Sequence, residues 1–217
     1  MKRRQWARWG VLVGTVWASG CNGGGTQPPG PPSDLRPSGG DGQNWYFNNP
    51  LPTPLRVTVL DLSGRPVPGV VVMWAVSSGA GAVTPVQSTT DASGEASTTD
   101  SVGSATIQRV SATVTGVPTA ASFTEVATTP PTSAAVSLQN LAFNPDSVVV
   151  QSGGTVTWTW NDGAIGHNVT FTSGPARPPD SATKASGTYA LQFTTVGTYG
   201  YHCTIHPTMT GSVTVVH

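Results

Sequence analysis

The chain is expected to be all-β, with two β-sandwich modules in series behind an N-terminal export segment. Runs of roughly four to eight Val-, Thr- and aromatic-rich residues recur about every ten residues, the spacing of a sandwich. Gly (26) and Pro (19) punctuate these runs. Of the 217 residues, about 20 go to export and about 30 to a tether, leaving two modules of about 80 residues, an ordinary domain size.

Residues 1-20 read as an export signal. Lys2, Arg3, Arg4 and Arg8 form a positive head, and Trp9 to Gly20 a small, apolar stretch too short to span a bilayer. The following Trp17-Ala18-Ser19-Gly20-Cys21 resembles a bacterial lipobox, with Ala18 where Leu is commoner. That resemblance implies cleavage before Cys21, its lipidation, and anchorage of the mature chain to a membrane. An ordinary cleaved signal with Cys21 incidental is the alternative, and Arg3-Arg4 also raises twin-arginine export. Every version takes the chain out of the cytoplasm, to a periplasm or cell surface.

Residues 21-50 are dense in Gly, Pro, Ser and Asn with almost no aliphatic side chains, so they are expected to remain an unfolded tether. Such a stretch would reach about 30 Å as a coil and about 90 Å as polyproline. Trp45-Tyr46-Phe47 breaks the pattern and is read as the approach to the next module. From residue 51 to 128, Val57 to Asp61 and Val70 to Val76 read as strands, and Ala105 to Thr115 as a later strand pair. Turns fall at Ser63 to Gly69 and Thr90 to Ala96. Two segments here resemble the invasin/intimin type of bacterial Ig-like domain. One is Asp61-x-x-Gly64-x-Pro66-Val67-Pro68-Gly69-Val70-x-Val72-x-Trp74; the other is Thr89-Thr90-Asp91-Ala92-x-Gly94-x-Ala96. No site chemistry is legible in this module, which is read as a spacer or docking unit with Trp74 in its core. Residues 129-134 form the linker onward.

The chemistry lies in residues 135-217. Tyr201-His202-Cys203-Thr204-Ile205-His206-Pro207-Thr208-Met209 spaces a thiol, an imidazole and a thioether three residues apart, so that one tight loop can wrap one ion. His167 supplies a second imidazole from a distant strand, with Val169 and Phe171 on its face. Two His, one Cys and a weak axial Met form the ligand set of a blue-copper electron-transfer site. Each residue also has a plainer reading: Cys203 as a buried thiol, His167 as a core or surface histidine, Met209 as core filler. His202 points away from the face shared by Tyr199, Tyr201 and Cys203, and His217 is terminal, so neither is read as a ligand. These are all four histidines of the chain.

The order Phe143-Asn144-Pro145, strand Ser147 to Gln151, Gly153 to Trp158, His167-Asn168, Gly197 to Cys203, Met209 and strand Gly211 to Val216 resembles the cupredoxins over the last 80 or so residues. Cys203-x-x-His206-x-x-Met209 is the spacing of the short-loop, amicyanin-like members. The resemblance implies a Greek-key β-sandwich after the Ig-like one, and one type 1 copper per chain held by His167, Cys203, His206 and Met209. It also implies a tie from Asn168 to Thr204, and His206 as the residue through which electrons leave, with Ile205 and Pro207 beside it.

Other classes fall away on composition. A trinuclear copper cluster needs more histidines than the two left over, and a dinuclear centre needs a second loop cysteine. No Ser/His/Asp set or phosphate loop is present, so an enzyme is not expected. Four of the ten Lys and Arg lie in the first eight residues, leaving a mature net charge of about −4 and no basic patch for nucleic acid. With 9% charged residues, docking to a redox partner is expected to use an apolar face rather than steering. The readings left are an electron carrier cycling Cu(I)/Cu(II), a copper-binding or delivery protein without an electron-transfer role, and an adhesion module whose second fold is only structural.

Overall fold

The structure, a computed structural model, describes residues 28–217. Among them there is no α-helix, and 17 strands form two sandwiches. The first contains β1 (Pro32–Gly39), β2 (Asn44–Tyr46), β3 (Leu55–Asp61), β4 (Val71–Ser78), β5 (Ala82–Thr84), β6 (Gln87–Thr89), β7 (Glu95–Ser101), β8 (Ile107–Val114) and β9 (Ala121–Thr128). Its sheets run β1-β3-β7-β5 and β2-β9-β8-β4-β6. Alternation along β3, β7 and β8 turns Leu55, Val57, Val59, Ala96, Val110 and Ala112 inward, where Trp74 meets Phe123 at 5.9 Å between ring centroids.

Part of the expected tether is folded. Pro32–Gly39 pairs antiparallel with β3, and Leu35, opposite Val59, enters the core. Asp61 carries the contact further, accepting a bond from the Gly30 amide at 2.8 Å. An edge strand leaves one row of amides unpaired, so prolines are tolerated there, and backbone pairing supplies what the polar sequence does not. The signal residues and Cys21 lie outside the described residues. Ala105 to Thr115 also differs from expectation: it holds the single strand β8, whose partners are β4 and β9.

The second sandwich contains β10 (Ser133–Gln139), β11 (Ala142–Asn144), β12 (Ser147–Gln151), β13 (Gly154–Trp160), β14 (Thr170–Ser173), β15 (Gly187–Phe193), β16 (Gly197–His202) and β17 (Thr210–Val216). Its sheets run β11-β10-β13-β15 and β12-β17-β16-β14, with parallel pairs β10–β13 and β12–β17. Trp158, fully buried, stands edge-on to Tyr201 at 5.4 Å and to Phe171 at 6.1 Å, which knits the two sheets together below the Cys203 loop. At the far end of β17 the backbone of His217 is held by Asn49: its amide donates to Asn49 Oδ1 at 2.9 Å, and its carbonyl accepts from Nδ2 at 3.3 Å.

Of the three carboxylates that the first sandwich buries, Asp61, Asp100 and Glu125, the last two lack partners among the described residues. Asp100 and Glu125 are 1% and 0% exposed, and none of their oxygens has a hydrogen-bond partner there. Burial pushes Asp100 up to about 6. Burial, reinforced by the charges of Asp100 and Asp41, pushes Glu125 up to about 7. Between the ordinary carboxylate range and pH 7 the unfolded chain releases protons that the folded chain keeps, so stability falls as pH rises. The melting temperature of this module is expected to drop from pH 5 to pH 8. Glu125→Gln should raise it at pH 8 and flatten the dependence, as calorimetry of the full chain would register.

Candidate metal centre

β16 delivers Cys203 to the interior. Tyr199, Tyr201 and Cys203 are buried while His202 is half-exposed on the other face, as the alternation requires. The chain then turns tightly. The Cys203 amide donates to the Met209 carbonyl at 3.0 Å, and the Met209 amide to the His206 carbonyl at 2.8 Å. Both bonds close the loop before β17 begins, with Met209 buried inside it.

His167 comes from outside the regular strands. It is fixed by a reciprocal backbone pair with Lys184, at 2.9 and 3.0 Å, and β14 starts only at Thr170. The face expected for it nevertheless holds, since His167, Val169 and Phe171 are all buried. Asn168, between them, is buried as well.

The three side chains converge. The Nδ1 atoms of His167 and His206 are 3.1 Å apart, and Cys203 Sγ lies 3.9 Å from the first and 3.6 Å from the second. A point in the plane of these atoms is about 2.1 Å from all three, close to the lengths of metal–imidazole and metal–thiolate bonds. Two imidazole lone pairs and a sulfur, soft and nitrogenous, suit copper. Among the described residues this is the group of three such side chains able to hold an ion. Cys203 and His167 are fully buried, and His206 is half-exposed.

The surroundings fix the orientation. Asn168 Oδ1 accepts from the Thr204 amide at 2.9 Å, and its Nδ2 donates to Thr204 Oγ1 at 2.7 Å and Thr183 Oγ1 at 2.9 Å. The expected pairing of Asn168 with Thr204 is thus present, and it joins the His167 segment to the Cys203 loop. Three neighbours were not singled out from the sequence. Trp160 Nε1 donates to the His167 carbonyl at 2.9 Å, and the Lys184 ammonium sits 4.5 Å over the Trp160 ring. Asp162 Oδ2 lies 2.9 Å from His167 Nε2. Amide bonds, from Leu141 foremost, together with the His167 contact, hold the Asp162 carboxyl below its usual range. The available signal for Asp162 was an acidic residue in an Asn-Asp-Gly turn just before a candidate ligand.

Residues 131–216 match the family of copper binding proteins, plastocyanin/azurin family, and residues 48–128 match the bacterial Ig-like domain (group 1). Amicyanin-alpha of Methylorubrum extorquens is 39% identical over 89 residues, which span 40% of this chain and 74% of that protein. The chain belongs to the plastocyanin/azurin family of copper-binding proteins. Amicyanin of Paracoccus denitrificans is 40% identical over 83 residues, 37% of this chain and 63% of its own length. Plastocyanin of Scenedesmus fuscus is 36% identical over 86 residues, 35% of this chain and 87% of its own. This cupredoxin is therefore an all-β chain with an Ig-like module ahead of its copper domain, and its cofactor is one type 1 copper.

Asn168→Ala strips partners from the Thr204 amide and from two hydroxyls. It should cost about 1–3 kcal/mol, lowering the melting temperature of the copper module while copper still binds. Calorimetry and metal analysis of the full chain check both parts.

Proposed function

We propose that this cupredoxin is an extracytoplasmic electron carrier, anchored through a lipid on Cys21, with His167, Cys203, His206 and Met209 as its copper ligands. The observation that carries this reading is the closed site: a buried thiol and a buried imidazole meet a half-exposed one inside a loop sealed by two backbone bonds. When bound, the copper supplies a one-electron exchange between Cu(I) and Cu(II). The chain's part is to keep the donor atoms still across that exchange, since a site that rearranged would slow it. The Asn168–Thr204 tie and the short loop serve that end.

His206 is the ligand that reaches the surface, so its ring edge is the exit for the electron. Ile205, next to His206 in the loop, is exposed, and Leu141 and Ile165 are exposed aliphatic residues whose amides donate to Asp162, the neighbour of His167. Together with Pro207, Ile205 offers an apolar loop edge beside His206, suited to a redox partner with an apolar patch of its own. The proposed layout is an export signal over residues 1-20, the Ig-like module over 51-128 acting as a spacer, and the cupredoxin module over 135-217. Electron carriage leaves no reaction for the protein itself to catalyse, so no enzyme activity is proposed.

The full chain with one equivalent of Cu(II) should show an intense blue band that Cys203→Ser abolishes. Met209→Gln should keep the metal and lower the reduction potential in voltammetry. Rapid loss of copper to a chelator together with irreversible voltammetry would replace electron carriage with copper delivery. Ile205→Lys should slow reduction by the physiological partner while leaving the band intact, and equal rates would move the docking face elsewhere. Cys21→Ser should shift the protein from the membrane fraction to the soluble one.

A further inference from the structure

Asp162 stands behind the copper site on a support of its own. β10 and β11 are joined through Asn140 and Leu141, with Gln139 opposite Ala142. Both joining residues have left-handed backbones, φ 53° and 57°. Two-residue hairpins of this kind ordinarily carry Asn-Gly. A leucine with positive φ is uncommon, because its Cβ crowds the backbone. The amides of this turn both point at Asp162: Asn140 donates to Oδ1 and Leu141 to Oδ2, each at 3.0 Å. Oδ2 also faces His167 Nε2 at 2.9 Å, and the Asp162 side chain is 13% exposed.

A carboxylate that already accepts two amide bonds can only accept from the imidazole, so Nε2 carries the proton. Nδ1, on the other side of the ring, is then left with its lone pair toward Cys203 and His206. A carboxylate on the outer nitrogen of a ligating histidine also makes the ring a stronger donor. The same negative charge, in a partly desolvated setting, interacts more favourably with the divalent ion than with the monovalent one.

We propose that Asp162 is a positioning residue of the copper site, which fixes the tautomer and angle of His167 and biases the metal toward its oxidised state. The inference rests on His167 being a copper ligand. The strained hairpin is part of the device, since it presents two amides that hold the carboxylate against the ring. Asp162 thus ties the exposed hairpin tip, through one side chain, to the buried ligand.

The test compares full-length Asp162→Asn, Asp162→Ala and Leu141→Gly with the unaltered chain. Both Asp162 variants are expected to retain the blue band and to shift the oxidation equilibrium toward Cu(I) by on the order of tenfold, about 59 mV for one electron. Leu141→Gly keeps the amide that donates to Asp162 Oδ2 and should leave the potential in place. An unchanged potential in a folded Asp162→Asn protein would overturn the proposal. Nitrogen-15 spectra of the unaltered Cu(I) chain give a second reading that needs no variant. A slowly exchanging proton on His167 Nε2 is expected, and a fast-exchanging one would equally overturn it. Absence of a blue band in the unaltered chain would instead defeat the ligand assignment itself, a result distinct from an unshifted potential.

Discussion

Two imidazole nitrogens and a sulfur do not gather in a protein interior of their own accord. The Nδ1 atoms of His167 and His206, 3.1 Å apart, and the nearby Cys203 sulfur all face a common point. In the deprotonated form that metal ligands take, such a cluster is repulsive unless a cation stands among the three atoms, and much of the surrounding structure opposes its relaxation. The reciprocal bonds to Lys184 keep the His167 backbone in place, Trp160 caps its carbonyl, and Asn168 straps it to the loop across the gap. Beneath the loop, the aromatic contacts of Trp158 hold the two sheets at fixed separation. A dense, aromatic floor is hard to compress, so the donor atoms have little room to follow changes in the metal.

The Ig-like module makes a contrasting use of its interior. Asp100 and Glu125 are buried without hydrogen bonds from the described residues, and burial keeps them reluctant to ionise. Asp61, in the same module, is by contrast bonded by the amides of Gly30, Ser63 and Arg65 and by the Arg65 guanidinium.

Much of the copper site was legible because its parts are local. Cys203, His206 and Met209 fall within seven residues, and strand alternation alone separates Cys203 from His202. Asn168 and Thr204 were legible through the cupredoxin resemblance, each next to a proposed ligand. Asp162 was not, because the amides that give it meaning come from Asn140 and Leu141, some twenty residues earlier, and only the β10–β11 turn brings them close. Likewise, β1 escaped because its prolines and polar residues match a linker, and its place depends on what β3 offers as an edge. Glu125 defied the pattern outright: it faces inward between Phe123 and Ala127 while Val126 faces solvent, a choice set by strand register and hidden from hydrophobicity.

The clasp between Asn49 and the His217 backbone fixes which way the copper faces. β17 starts at Thr210, beside the metal-binding loop, and ends at Val216, next to that clasp. At about 3.3 Å per residue, its length separates the two by about 20 Å. The Ig-like module is therefore fastened to the end remote from the redox centre, and the strand between them is an electrical insulator as well as a mechanical strut. Under the proposed electron carriage, whatever holds the amino terminus, charge would enter and leave by the free pole, and a partner would approach that tip rather than the Ig-like module.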